Sequence, residues 1–198
     1  MSPGRLVLAS GSSIRKQLLT SAGVVFEAIA ADIDETPLPE EAPEPRARRL
    51  AREKALALSP GLPAAWILGS DQTGVTDGGI ELSKCAKRPE ALAQLMAMSG
   101  RAHRFTSAAA LVCDGRVLWE GESSVNVRFR AFSQAVAQAY LDYDEWQGSA
   151  GSYQLENRGI QLVEHIEGSN FAVLGLPLLE VLQALREHVP AVLGPLSS

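Results

Sequence analysis

The chain predicts an α/β fold, a mixed twisted sheet flanked by helices, with two lobes around a cleft. Three observations predict it. Short apolar runs alternate with helix-period segments through the first hundred residues, two long β-like runs at 105–112 and 117–129 are joined by Asp114-Gly115, and helical stretches resume afterwards. A hairpin set inside an alternating pattern argues for a mixed sheet and against a doubly wound parallel one.

Taken in order, 6–9 reads as a strand that runs into Ser10-Gly11-Ser12-Ser13, and Leu18 and Leu19 belong to a helix closed by Gly23. Residues 24–30 read as a second strand. Acidic Asp32, Asp34 and Glu35 follow, then a connector holding Pro37, Pro39, Pro43 and Pro45. Residues 46–58 favour helix, with Pro60-Gly61 as the stop. Residues 66–70 form a buried strand that Asp71 ends, Asp77-Gly78-Gly79 a turn in a hairpin-like stretch, and Lys84 sits on a presumed strand beyond it. Residues 89–98 and 133–143 read as helices, 148–151 as a glycine-rich loop, 159–166 as a strand and 178–188 as the terminal helix.

At 198 residues the sequence fits one domain, or one domain with two lobes, and no apolar run approaches the roughly 20 residues of a membrane span. Cytoplasm is the default compartment. Cys85 and Cys113 are too few and too far apart for a redox pair, a zinc site or a disulfide scaffold. The net charge of −5 argues against a nucleic-acid footprint, yet Arg46, Arg48, Arg49, Arg52 and Lys54 crowd one short segment and leave room for a small anionic ligand.

Asp71, at the mouth of a buried strand and near a lysine, is ordinary hardware for metal-assisted phosphate chemistry. Ser10 to Lys16 places hydroxyls, a glycine and Arg15 at a helix start, where backbone N–H groups and the helix dipole favour anions; a plain serine-capped helix is the alternative. Glu35 could join Asp71 on magnesium or manganese, both of which take hard oxygen ligands, or belong to a solvated acidic turn. The arginines of the basic run read as a solvated helical face. Lys54 differs, because its spacing from Leu50 turns it toward the apolar side, where a lysine needs an anionic partner. His103, His165 and His188 are scattered, and no nucleophile elbow or zinc-protease motif is present. Tyr153 and Glu156 lie in a glycine-flanked loop that could read a base or simply turn the chain.

The ordered segments Leu8-Ala9-Ser10-Gly11-Ser12, Asp34-Glu35-Thr36, Lys54-Ala55, Gly69-Ser70-Asp71-Gln72, Lys84, Ser99-Gly100-Arg101-Ala102-His103, Ala150-Gly151-Ser152-Tyr153, Ile166-Glu167-Gly168-Ser169 and Gly175-Leu176-Pro177-Leu178 resemble the Maf family of nucleoside triphosphate pyrophosphatases over nearly the whole chain. The resemblance implies a single Maf-like domain with the inosine-triphosphatase-like fold. It also implies hydrolysis between the α and β phosphates of a nucleotide substrate, with a divalent cation, Mg2+ or Mn2+, held by Glu35 and Asp71. Ser10, Arg15, Lys54 and Lys84 would hold the triphosphate, Asp71 would be the general base, and Gln72 and Glu156 would bind substrate, with Glu156 facing the base. A homodimer is compatible with the resemblance.

Gly-Ser-Asp-Gln and Glu156 are similar to the 7-methyl-GTP branch rather than the dTTP/UTP branch, where Ala-Asp-Thr and a glutamine are usual. A carboxylate accepts both N1–H and N2–H of guanine and attracts a cationic methylated ring. The chain departs from that branch at Ser13 and Ile14, where Pro and Trp are expected, at Ser83 and Cys85, where Gly and Pro flank the lysine, and at Asn157, which replaces a glycine. The rival readings are a dTTP/UTP pyrophosphatase and a non-catalytic, nucleotide-sensing regulator of cell division.

Overall fold

The computed structural model describes residues 4–143 and 146–196. In chain order it contains β1 (Leu6–Leu8), α1 (Ser13–Ser21), β2 (Glu27–Ala28), α2 (Pro43–Leu58), β3 (Trp66–Thr76), α3 (Arg88–Met98), β4 (Ala102–Cys113), β5 (Arg116–Phe129), α4 (Gln134–Tyr143), β6 (Val163–Gly168), α5 (Asn170–Val173) and α6 (Leu178–His188). The sheet has six strands in the order β2-β1-β3-β4-β5-β6. Its β1–β2 and β1–β3 pairings are parallel and β5–β6 is antiparallel, so it is mixed, as the embedded hairpin predicts.

Two compact units divide the chain. One takes in the chain up to Gln72, Ser107–Ser123 and the chain from Gly175 onward; the other holds Thr73–Thr106 and Ser124–Leu174. In the first, Val7, Ala9, Ala55, Ala65, Ile67 and Val112 form a buried cluster, and Ala47 and Ala51 of α2 pack on Ala108 of β4. In the second, Leu95, Met98, Phe105, Val127, Phe129, Tyr140 and Tyr153 anchor the core.

Several boundaries differ from expectation, each for a local reason. β2 covers only Glu27–Ala28 because its partner β1 is three residues long and offers no further ladder. Pro43 and Pro45 lie inside the first turn of α2, not in the connector before it; proline costs nothing there, since those N–H groups have no intrahelical acceptor. β3 runs past Asp71 to Thr76, which makes Asp71 a mid-strand residue and not a terminal one. Residues 158–162 form a 3-10 turn where a strand is expected, because Gly159 folds back onto the Gln154 carbonyl. Lys84 is on no strand: only Val75 and Glu81 bridge, Leu82 N–H donates to the Gly74 carbonyl at 2.8 Å, and the chain leaves the ladder. The Asp114-Gly115 hairpin is as expected, with φ of 47° and 72°, the geometry of a type I′ turn.

Candidate active site

The first unit gathers its charged side chains where α2 crosses β3. Helix α2 presents Ala47, Ala51 and Ala55 to the sheet, and β3 presents Gly69; a Cβ at residue 69 would fall on the Ala51 carbonyl and 2.9 Å from the Ala55 nitrogen. This close approach lets a helical lysine reach a strand carboxylate. Lys54 Nζ lies 2.7 Å from Asp71 Oδ1 and 2.7 Å from Glu35 Oε1, with the Lys54 and Asp71 side chains only 9% and 11% exposed and Glu35 at 49%. The buried lysine with anionic partners is therefore as the helical spacing predicts, and Glu35 and Asp71, 36 positions apart in sequence, share one ammonium.

The connector that carries Glu35 is held from both sides. Asp34 accepts the Thr36 N–H at 2.9 Å, and Arg49 of α2 donates to the Thr36 carbonyl and, through Nε and Nη2 at 2.6 and 2.7 Å, to the two Glu41 oxygens. The Arg49 hydrogen bonds hold the Glu41 carboxyl down at about 2 and push the guanidinium upward. Arg49 also donates to Glu53 at 2.9 Å, and Arg46 is buried. The basic run is thus a solvated face only in part. Arg48 and Arg52 are half-exposed and paired with Glu122 and Glu120.

Ser12 caps α1, accepting from the Arg15 N–H at 3.5 Å, so the plain cap is real. The loop also does more. Arg15 Nε donates to the Gly175 carbonyl at 2.7 Å, and Nη1 to the Ser70 carbonyl at 2.9 Å and Ser10 Oγ at 3.3 Å. Burial lowers its pKa, and Asp71 and Glu35 act against that. Nε and Nη1 are thus both committed to the protein. Ser70 Oγ donates to the same Gly175 carbonyl at 3.0 Å, and Gly175 has φ of 90°. Ser70 and Gly175 are anchors to which the sequence assigns no individual role, although both fall in the segments Gly69-Ser70-Asp71-Gln72 and Gly175-Leu176-Pro177-Leu178 that carry the family resemblance. Gln72 follows Asp71 on β3 and is half-buried, on the opposite face.

In the second unit, Lys84 and Glu156 are both exposed. Tyr153 is not a stacking platform: it is 4% exposed, packs against Phe105 and Phe129, and its hydroxyl lies 2.8 Å from His103 Nε2. Burial pushes the Tyr153 phenol up and His103 down to about 4, which favours a neutral imidazole hydrogen-bonded in the core. Cys85 is buried and Cys113 half-buried, and both are free thiols.

Among the described residues, no group of three or more His, Cys, Asp or Glu is gathered as an all-protein metal cage. The donor set is two carboxylates on one ammonium. That set fits a magnesium-like cation, which keeps much of its water and completes its shell with substrate phosphates.

The chain matches the model of the family described as Maf: Maf-like protein, over residues 5–188. It is 44% identical over 189 residues to a nucleoside triphosphate pyrophosphatase of Bradyrhizobium diazoefficiens, covering 92% of this chain and 93% of that protein. It is 44% identical to a dTTP/UTP pyrophosphatase of Rhodospirillum rubrum (90% and 85% covered), and 41% identical to a 7-methyl-GTP pyrophosphatase of Xanthomonas oryzae pv. oryzae (94% and 99% covered).

Proposed function

The chain belongs to the Maf family, and from that premise we propose that it hydrolyses nucleoside triphosphates to a monophosphate and pyrophosphate. The observation that carries this reading is the Lys54 ammonium, 2.7 Å from a carboxylate oxygen of each of Glu35 and Asp71 in a largely buried setting. Asp71 accepts the proton of a water attacking the α phosphorus in line, and the pyrophosphate leaves. Lys54, Arg15, Ser10 and Lys84 hold the phosphates and offset charge that grows on them in the transition state. A divalent cation held by Glu35 and Asp71 would add Lewis-acid stabilisation of that charge. Gln72, on the face of β3 opposite Asp71, is assigned a substrate contact by the family resemblance and stands apart from this phosphate grip; the cytoplasm, where free nucleotides pool, is the proposed place of action.

The base is read by Glu156, and the preferred substrate is 7-methyl-GTP. Relatives named for either base class match at similar identity, so overall likeness does not choose between them. The support comes from particular residues: a carboxylate at 156 suits the donor edge of guanine and meets the uracil carbonyls badly. A pyrophosphate-release panel with 7-methyl-GTP, GTP, UTP, dTTP and CTP, in Mg2+ and in Mn2+, tests the proposal. Release is expected to be fastest from 7-methyl-GTP. Equal rates on UTP would remove the role of Glu156, and binding without release from any nucleotide would favour the sensor.

A further inference from the structure

In the second unit, Gln94 of α3 has all of its amide hydrogen-bonding capacity engaged. Its Oε1 accepts from the Ser83 N–H at 2.9 Å and from Ser83 Oγ at 3.4 Å, while its Nε2 donates to the Ser83 carbonyl at 3.0 Å and to Ser152 Oγ at 2.9 Å. The Ser83 N–H can only donate, which fixes the amide orientation. Ser83 immediately precedes Lys84, and Ser152 lies on the loop that carries Glu156. The two segments also meet directly, Gly151 N–H donating to the Ser83 carbonyl at 3.2 Å. Ser152 is fully buried and has φ of 58°, a left-handed conformation that a serine keeps only when its surroundings hold it there.

We propose that Gln94 is a positioning residue: its amide clamps the Lys84 segment to the Glu156 loop, so that phosphate grip and base reading stand at a set spacing and selectivity depends on both. This rests on the pyrophosphatase reading above. Lys84 and Glu156 are solvent-exposed side chains on irregular backbone, and without the clamp the two segments would be left joined by the 3.2 Å Gly151-to-Ser83 backbone hydrogen bond. The amide adds side-chain hydrogen bonds where the local backbone offers only the short 3-10 turn Ala150–Ser152.

The test compares wild type, Gln94→Ala and Ser152→Gly for pyrophosphate release from 7-methyl-GTP and UTP. Hydrogen exchange at the amides of 83–85 and 151–156 is read in parallel. Gln94→Ala should raise KM for 7-methyl-GTP about 10-fold, the scale of one or two lost hydrogen bonds. It should narrow the preference over UTP by a similar factor and leave kcat within about 3-fold. Both segments should exchange faster together. Ser152→Gly, which removes the hydroxyl and the left-handed strain, should fold at least as stably and show the same KM shift. Unchanged KM and preference in the two variants would overturn the clamp. A wild type that cleaves nothing overturns the pyrophosphatase reading alone; the exchange experiment still decides the clamp, which fails if the 151–156 amides keep their protection in Gln94→Ala.

Discussion

Arg49 meets Glu41 fork to fork, Nε to Oε1 at 2.6 Å and Nη2 to Oε2 at 2.7 Å, with side chains only 13% and 9% exposed. The pair ties the connector of Glu35 to the helix of Lys54. Because Glu41 is depressed from 4.5 to about 2, the stability it contributes is intact above pH 4.5 and is lost as pH falls toward 2. In Arg49→Ala, Glu41 returns to its ordinary range, and the acid-unfolding midpoint followed by circular dichroism should move to higher pH. An unmoved midpoint would make the pair inert.

Asp71→Asn keeps an acceptor for Lys54 and should fold. As the proposed base it should lose turnover by about 10² or more, measured as initial rates of pyrophosphate release. A near-normal rate would take Asp71 out of the chemistry.

Lys54→Met removes the ammonium hydrogen-bonded to buried Asp71, leaving Arg15 as the nearby cation, and should cost about 3 kcal/mol in urea unfolding, with loss of turnover. A double-mutant cycle should give Lys54 a larger coupling to Asp71 than to Glu35, since Asp71 is 11% exposed and Glu35 49%. The reverse order would contradict the packing.

His103 is held neutral, with its folded pKa near 4 against an ordinary 6.5. The unfolded chain takes up the proton first as pH drops, so stability is full above pH 6.5 and declines toward pH 4 by roughly 3 kcal/mol. His103→Phe, measured at pH 7 and pH 4.5, should show a smaller loss between the two. Parallel losses in variant and wild type would exclude His103 as the source.

Gly69→Ala drives a methyl group into the backbone of α2 at Ala51 and Ala55. About 2–3 kcal/mol of overpacking is expected. Because relief requires the helix to move from the strand, turnover should fall as well; a variant as stable and active as wild type would refute the close approach.

Much of this was legible in the chain. Lys54 showed itself because a lysine four residues after buried Leu50 shares its helical face. Arg46 lies four residues before Leu50 on that same face and is buried too, so one rule covered both, although the crowding of arginines around it suggested solvent. Asp71 was located but placed at a strand end, because the polar Gln72-Thr73-Gly74 looks like a turn; a long neighbouring strand, β4, keeps it in the ladder. Tyr153 was undecidable by pattern, since its burial depends on His103, 50 positions away. The Gln94 amide was invisible for a similar reason: nothing local marks a glutamine whose partners lie 11 and 58 residues off.

The Gly175 carbonyl takes hydrogen bonds from both Arg15 and Ser70, across 160 and 105 residues of chain. During synthesis the guanidinium therefore lacks this acceptor until residue 175 has been made. A chain cut before residue 175 would hold the Arg15 guanidinium only through the Ser70 carbonyl and Ser10 Oγ, so the loop after β1 would be tied to β3 alone.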